Sequence, residues 1–424
     1  MELSVVIPAL NEADNLAKLL PQLHQVLSAL SREYEIVVVD NHSQDATPDV
    51  CAAASATLIH QTEPGFGGAL RAGFERATGQ YVLTMDADLS HLPDFLPAMW
   101  ARRTDADVVI ASRYVPGGSA DMPRYRYWLS VILNQVYTRI LSLSAKDISS
   151  GFRLYRTAAL RELDLHSNDF DAQEEILIEM YAQARRIVEV PFRYSPRNEG
   201  RSKVRLLHFG ASYLKTLYRM WKLRNSIASA DYDARAFDSI VPLQRYWQRR
   251  RYKIVLSMLD QSRPCLDIGC GSSRILEGLS RDSIGLDVQM SKLRYARRYG
   301  RPLANASAFA LPFADGTFDQ VLCSQVIEHL ELSDQMFVEM GRVLKTNGRL
   351  TIGTPDYGRP AWPTLERLYR AFAPGGYADE HITHYTLESL TRMLEQLGFE
   401  RQHVASIWGA ELIVSFARTG QKGE

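Results

Sequence analysis

Two carboxylates one residue apart, Asp86 and Asp88 in Met85-Asp-Ala-Asp-Leu-Ser90, close the strand-like run Gln80-Tyr-Val-Leu-Thr-Met85. Side chains at i and i+2 of an extended segment point the same way, so the two acids face one ligand together. Bare carboxylates at that spacing repel each other, which favours a cation between them. Oxygen ligands suit Mg²⁺ or Mn²⁺, and a cation held by one or two carboxylates plus substrate phosphates is a recurrent arrangement. A polar turn after a buried strand is the plain alternative for Asp-x-Asp taken alone. A second cluster lies in the other half of the chain, Cys265-Leu-Asp-Ile-Gly-Cys-Gly271. An acidic residue and two glycines before a helix indicate close backbone approach to a ligand. About twenty residues on, Ser283-Ile-Gly-Leu-Asp287 ends a strand in a carboxylate, a position that commonly binds a pair of ribose hydroxyls.

The elements around the first cluster form a repeating pattern. Leu3 to Ile7 reads as a buried strand, Pro8 to Glu12 as a loop and Ala13 to Leu30 as an amphipathic helix. Glu35 to Asp40 is a second strand ending in a carboxylate, followed by the polar loop Asn41-His-Ser-Gln-Asp45. Pro64-Gly-Phe-Gly-Gly68 opens a helix to about Thr78. Strands alternating with helices predict a parallel α/β sheet. Ligands bind at the carboxyl ends of such strands, where the loops carrying Glu12, Asp40, Asp86 and Asp88 converge.

At 424 residues the chain has room for two or more domains. Its 49 basic and 49 acidic residues balance, so the whole molecule has no bias toward polyanions. The four cysteines, Cys51, Cys265, Cys270 and Cys323, form no Cys-x-x-Cys pair, which indicates neither a cysteine zinc site nor a disulfide framework and fits a reducing compartment. The chain enters a strand at once, leaving no expected signal peptide. No apolar run reaches the ~18 residues of a membrane span.

Val5-Val-Ile-Pro-Ala-Leu-Asn-Glu12, Ile36-Val-Val-Val-Asp40, Asn41-His-Ser43 and Asp86-Ala-Asp-Leu-Ser90 resemble family 2 glycosyltransferases of the GT-A fold. Ser112-Arg-Tyr114, Ser150-Gly-Phe-Arg-Leu-Tyr155, Gln173-Glu174 and Arg197-Asn-Glu-Gly-Arg-Ser-Lys203 resemble the branch containing dolichyl-phosphate mannosyltransferase. The likeness covers about residues 1–225, and the Gln-x-x-Arg-Trp signature of processive synthases is absent. It implies that Pro8, Ala9, Leu10, Glu12 and Asp40 hold the base and ribose of a nucleotide sugar, GDP-mannose by this branch. It implies a metal on Asp86, Asp88 and Ser90, where serine is a weaker ligand than a carboxamide. Arg113, Arg126 and Arg153 become candidates for an acceptor phosphate, and Arg197, Ser202 and Lys203 for closure over the diphosphate. A lipid phosphate is already an anion and needs positive groups more than a base. A hydroxyl acceptor would need a carboxylate, Asp88 or Glu174.

Two stretches point to a membrane surface. Ala120 to Ala145 interleaves aromatic and aliphatic residues with Arg124, Arg126 and Arg139; in isolation it reads as a core helix, while the family resemblance implies a segment at the membrane surface. Arg185 to Arg224 carries eleven Lys or Arg against Glu189 and Glu199, with aromatic residues at helical spacing in its later part. A basic amphipathic helix of this kind suits anionic lipid. The alternative is a helix packed on the second domain. No nucleic-acid fold motif accompanies the basic stretch, so no nucleic-acid partner is expected.

In the second half, Ala310-Leu-Pro-Phe313, Phe318-Asp-Gln-Val-Leu-Cys323, Val326-Ile-Glu-His-Leu330 and Arg342-Val-Leu-Lys-Thr-Asn-Gly348 resemble class I S-adenosylmethionine-dependent methyltransferases, over about residues 245–418. Asp267 inside the turn disfavours a nicotinamide dehydrogenase. The resemblance implies that Asp267, Gly269 and Gly271 approach the methionine part of the cofactor and that Asp287 takes its ribose. Phe309 would lie near the adenine. Ser273 and Ser307 depart from the pattern, replacing its third glycine and the acidic residue before Ala-x-x-Leu-Pro-Phe. Methyl transfer to oxygen needs a base, for which His329, His381 and His384 are candidates.

The expected architecture is α/β throughout: a GT-A glycosyltransferase domain over residues 1–228, a linker over 229–242 and a Rossmann-like methyltransferase domain over 243–424. The expected protein is a bifunctional transferase, peripheral on the cytoplasmic face of the cell membrane, with a polyprenyl phosphate acceptor and a methyl acceptor among glycans, lipids or small molecules. The rival is a soluble glycosyltransferase acting on a hydroxyl, its second half a cofactor-binding or scaffolding module.

Overall fold

The computed structural model describes every residue except 32, 195–205, 373–380 and 420–424. Its contacts divide the chain into two compact units, one of Met1–Tyr181 and Arg185–Trp221, the other of Ala182–Ala184 and Lys222–Glu424. The stretch 229–242, expected as a linker, contains a helix, Tyr232–Phe237, and falls within the second unit.

Among the described residues, nine strands belong to the first unit: β1 Leu3–Ala9, β2 Tyr34–Asp40, β3 Thr57–His60, β4 Tyr81–Thr84, β5 Val108–Ser112, β6 Ser119–Ala120, β7 Arg153–Arg156, β8 Ile187–Pro191 and β9 Arg193–Tyr194. Seven form one sheet in the order β3-β2-β1-β4-β7-β5-β8, and β6 pairs with β9. The sheet is mixed: β7 runs antiparallel to both β4 and β5. An antiparallel insertion needs no helical crossover over a sheet face, and Arg153-Leu-Tyr-Arg156 shows neither a continuous apolar run nor clean alternation, so its direction left no mark in the pattern. β1, β2 and β4 are parallel neighbours, with Ala9 opposite Asp40 and Val6 opposite Thr84. That register brings the ends carrying Pro8, Asp40 and Asp86 to one edge.

Helix Ala13–Leu30 covers this sheet because Leu16, Leu19, Leu20, Leu23 and Leu27 repeat at helical spacing and are all fully buried. Its first turn draws hydrogen-bond acceptors from the neighbouring loop. The Ala13 amide donates to Asp45 Oδ2 at 3.0 Å, and the Glu12 amide to Thr47 Oγ1 at 3.1 Å. Helix Gly65–Arg76 lies so close to β1 that a Cβ on Gly73 would meet Val6 Cγ1 at 2.2 Å.

The second unit holds β10 Cys265–Ile268, β11 Ile284–Asp287, β12 Leu303–Asn305, β13 Phe318–Ser324, β14 Leu344–Pro355, β15 Phe399–Ile407 and β16 Glu411–Arg418. Their order is β12-β11-β10-β13-β14-β16-β15, parallel up to β14, with β16 antiparallel to both its neighbours. The order reverses at β10 and β13, the place where doubly wound sheets open a ligand crevice. Buried Leu266, Ile268, Val321, Ile352 and Val414 occupy the sheet interior. The four cysteines are buried and unpaired with one another.

Gly73→Ala should destabilise the first unit by about 1–3 kcal/mol through overpacking. Urea unfolding of the full chain checks it: the transition of that unit should move to lower urea, and Val6→Ala in the same chain should restore part of the loss. An unmoved transition would contradict the close helix–strand approach.

Candidate active sites

At the carboxyl edge of the first sheet, two loops are sewn together. The Asn11 amide donates to Ser43 Oγ at 2.8 Å, and the Gln44 amide returns a bond to Asn11 Oδ1 at 2.8 Å. Asn11 has φ +53° and His42 φ +57°, left-handed conformations that asparagine and histidine tolerate better than most residues. Asp40 is fully buried, and its carboxylate accepts from the Ser43 amide at 3.1 and 3.2 Å and from the Ser43 hydroxyl. His60 Nδ1 stands 3.4 Å from Asp40 and stacks on His42 with ring centroids 5.5 Å apart. Ala9 is buried, Pro8, Leu10 and Glu12 are partly exposed, and Glu12 accepts from Asn15 Nδ2 at 2.6 Å. Sequence reasoning missed Ser43 as the donor that holds Asp40, although Asp-x-x-Ser at a strand end was a legible signal.

Asp86 and Asp88 differ in exposure: the Asp86 side chain is 34% accessible and Asp88 is buried. The Ser90 amide donates to Asp88 Oδ1 at 3.1 Å, while the buried Ser90 hydroxyl finds no hydrogen-bond partner among the described residues. Two carboxylates beside an unsatisfied hydroxyl oxygen match what a hard divalent cation takes. His91, also missed, accepts from the Asp86 amide at 2.9 Å and stacks on Phe152 with centroids 5.0 Å apart. It fixes the turn that follows β4.

The arginines divide. Arg113 is committed to Asp147 through two hydrogen bonds of 2.8 and 2.7 Å, with Ser149 Oγ at 2.8 Å. Arg153, expected at an acceptor phosphate, is fully enclosed, donating to the Gln173 carbonyl at 2.5 Å and to the Ile148 carbonyl. A lipid phosphate has no access to it, and it serves the packing of residues 148–174. Arg126 is exposed on helix Arg124–Leu141. Arg197, Ser202 and Lys203 lie outside the described residues. Glu174 is fully buried, and neither carboxyl oxygen finds a hydrogen-bond partner among the described residues. Burial pushes its pKa up to about 8 against the opposing charge of Arg153. A carboxyl enclosed in this way is out of reach of a hydroxyl acceptor.

In the second unit the glycine turn wraps the end of β10. Gly269 has φ +67°, and a Cβ there would meet Val326 Cγ2 at 2.2 Å. Asp287 accepts from the Gly271 amide at 3.0 Å and from the Gln289 amide at 2.8 Å. Asp267 is buried, its Oδ2 finds no partner among the described residues, and burial with the nearby Asp287 charge raises its pKa to about 8. An orphaned carboxyl on the strand before the turn, a carboxylate at the next strand end and a glycine backbone at the turn fit S-adenosylmethionine. Phe309 packs half-buried on the core, and Ser307 Oγ accepts from the Phe309 amide at 3.2 Å where the family pattern places an acid. Helix Tyr232–Phe237 was missed as part of this site: the Asp233 amide donates to Ser272 Oγ at 3.0 Å, directly at the turn. No signal beyond an Asp-rich stretch marked it.

The three histidines separate likewise. His329 and His381 face each other with ring centroids 5.1 Å apart, while His384 is exposed and stacks on Tyr357 at 4.0 Å. The His381 side chain is enclosed, which with the charges of His329 and His384 pushes its pKa down to about 3. Its Nδ1 lies 3.0 Å from Tyr357 Oη. Glu328 is fully buried beside them, and burial raises its pKa to about 8.

A glycosyl transferase family 2 model matches residues 4–164, and a methyltransferase domain model matches residues 266–352. The undecaprenyl-phosphate mannosyltransferase of Micrococcus luteus is 36% identical over 218 residues, covering 48% of this chain and 88% of that protein. This chain belongs to glycosyltransferase family 2. The dolichol-phosphate mannosyltransferase of Pyrococcus furiosus is 34% identical over 237 residues, covering 54% of this chain and 66% of that one. The polyprenol monophosphomannose synthase of Mycolicibacterium smegmatis is 30% identical over 243 residues, covering 53% and 89%. All three matches account for about half of this family 2 chain. The other half carries the methyltransferase domain.

Glu174 yields a pH prediction. Its pKa is raised above the ordinary 4.5 in the folded state, so its contribution to stability is full below about pH 4.5 and is lost as pH rises through about 8. Thermal unfolding of Glu174→Gln across pH 5–9 should show a shallower fall in stability than wild type, with the variant gaining most at high pH. Parallel curves would mean that the carboxyl is ionised in the fold.

Proposed function

We propose that the first unit transfers a sugar from a nucleotide donor to a polyprenyl phosphate at the inner face of the cell membrane. We propose that the second methylates a glycan, lipid or small molecule with S-adenosylmethionine. The assignment of residues 1–228 and 243–424 to the two activities belongs to the same proposal. The observation that carries the lipid reading is the outer face of helix Arg124–Leu141. Tyr125, Trp128, Leu129, Ile132, Val136 and Ile140 are each between 41% and 60% exposed, at helical spacing, with Arg124, Arg126 and Arg139 exposed among them. Helix Leu206–Arg224 adds Leu214, 68% exposed, and Tyr218. The helices are joined on their inner sides, where Tyr137 Oη donates to the Tyr213 carbonyl at 2.6 Å. Water-exposed apolar stripes rimmed by arginine match a lipid surface with anionic head groups. No helix among the described residues is long and apolar enough to cross a membrane, so this contact would be peripheral.

The chemistry follows from the edge of the first sheet. Asp40 and the loop Pro8–Glu12 would hold the nucleoside, GDP in the proposed donor GDP-mannose. Asp86, Asp88 and Ser90 would hold Mg²⁺ or Mn²⁺, which neutralises the charge that develops on the departing diphosphate. The acceptor phosphate oxygen attacks the anomeric carbon as the bond to the diphosphate breaks. Arg126 is one of three exposed arginines on the lipid-facing helix and would orient that acceptor. In the second unit Asp267, Gly269, Gly271 and Asp287 would bind the methyl donor, with Phe309 beside its base.

Purified full-length protein, Mn²⁺ and radiolabelled GDP-mannose offered with a short polyprenyl phosphate should move label into organic solvent. Asp88→Ala should reduce transfer at least about a hundredfold. Donor hydrolysis without lipid labelling would favour a hydroxyl acceptor, and transfer from another nucleotide sugar would replace mannose. Separately, flotation with vesicles rich in phosphatidylglycerol should recover the wild type. Trp128→Ser with Ile132→Ser should weaken that association at least about tenfold. Equal flotation of both would remove the helix from the membrane contact.

A further inference from the structure

The strands and loops of the second unit bring His381 to the adjacent pair Glu328 and His329, three side chains that methyl-donor binding does not use. Glu328, His329 and His381 each offer one ligand atom, and these atoms all lie within 4.8 Å of one another. Glu328 is fully buried, and its Oε1 finds no hydrogen-bond partner among the described residues. Its Oε2 accepts from Thr354 Oγ1 at 3.3 Å. The segments that carry the three are tied by backbone: the Ile382 and Thr383 amides donate to the Glu328 carbonyl at 2.8 and 3.0 Å, and Thr383 Oγ1 donates to the Leu330 carbonyl at 2.6 Å. The positions are therefore held by main chain, independent of any ligand.

We infer that Glu328, His329 and His381 form a divalent-cation site in the methyltransferase unit. The proposal rests on the methyltransferase reading and extends it. Two imidazoles and one carboxylate are the ligands of Zn²⁺, Fe²⁺ and Mn²⁺, borderline ions that accept both nitrogen and oxygen. An ion about 2.0–2.2 Å from each ligand keeps any two of them within about 4.4 Å, so side-chain rotation of about half an ångström closes the set. His381 Nδ1 also has Tyr357 Oη at 3.0 Å and Glu366 at 3.6 Å. Metal-bound imidazoles commonly pass their second nitrogen to such partners, which fixes the ring.

Three protein ligands leave coordination positions open for an acceptor oxygen. A cavity of about 200 Å³ adjoins the site, lined by Val241, Leu243, Trp247, Trp362 and Leu365, with Glu366 at its wall. Trp362 lies 5.6 Å from the His381 ring, centroid to centroid, and Glu366 is the carboxylate beside His381. The acceptor class this fits is a hydroxyl on a molecule with an apolar body. The hydroxyl would bind the cation and lose its proton to solvent. The oxygen then attacks the sulfonium methyl group, forming an O–C bond as the C–S bond breaks, and leaves S-adenosylhomocysteine, the methyl ether and one proton. The cation lowers the hydroxyl pKa, which replaces a strong base.

The test uses full-length chain carrying Asp86→Ala and Asp88→Ala, so that metal at the other unit does not contribute. After chelator dialysis, Co²⁺ titration should give visible d–d absorption that saturates at one ion per chain and is displaced by Zn²⁺. His329→Ala and His381→Ala should each weaken the ion by more than about tenfold, while His403→Ala, on β15, leaves it unchanged. Calorimetry of S-adenosylmethionine on each metal-free protein reports folding and the methyltransferase reading separately. Retained donor binding with no cobalt spectrum overturns the metal site alone. A spectrum that survives both histidine substitutions also overturns it. Loss of donor binding in the parent protein overturns the methyltransferase reading on which it rests.

Discussion

Buried carboxyl groups at strand ends are the constraint around which both units are arranged. Asp40, Asp88, Asp267, Asp287 and Glu328 are each at most 7% exposed. Among the described residues, Asp40, Asp267, Asp287 and Glu328 have no ion pair to Lys or Arg within 4.0 Å. Removing such groups from water is costly, and backbone amides or hydroxyls offset only part of that cost. Ser43 and its amide serve Asp40, the Ser90 amide serves Asp88, and the Gly271 and Gln289 amides serve Asp287. Asp267 Oδ2 and Glu328 Oε1 find no hydrogen-bond partner among the described residues. A fold that retains this arrangement gives up stability for binding.

The cationic side chains follow a different economy. Arg113 with Asp147, Arg219 with Glu175 and Arg251 with Glu411 pair away from those strand ends and lock segments together. Arg153 does the same through carbonyls. Breaking any of them leaves an uncompensated buried charge, so they act as rigid joints more than as net sources of stability. Arg124, Arg126 and Arg139 on helix Arg124–Leu141 stay exposed among exposed aromatic and aliphatic side chains. Structural and exposed arginines are thus separated by burial, while their residue type is the same.

The two sheets share one principle with different strand orders. In each, parallel neighbours place loop after loop at a single edge, so residues tens of positions apart meet without long connections. In the first the meeting residues are oxygen donors suited to a phosphate-bound cation. In the second they are a glycine turn and two acids, with the Glu328–His329–His381 group formed where the β13 exit meets the segment before helix Leu387–Gln396.

Much of this was written in local pattern. The helix Ala13–Leu30, the strands ending in Asp40 and Asp287 and the strand just before Asp86 follow from periodicity, because hydrophobic burial at 3.6- and 2-residue spacing acts over a few neighbours. The motif residues at those strand ends were legible for the same reason. Tertiary structure alone decided the rest. It made Arg153 an enclosed packing residue and Glu174 a buried acid, since a side chain's burial depends on what distant segments cover it. It reversed β7, because strand direction depends on connection path and leaves no period in the sequence. It placed Asp233 at the glycine turn and His381 beside Glu328. Those proximities are set by strand order and loop closure, and no local spacing of residues encodes them.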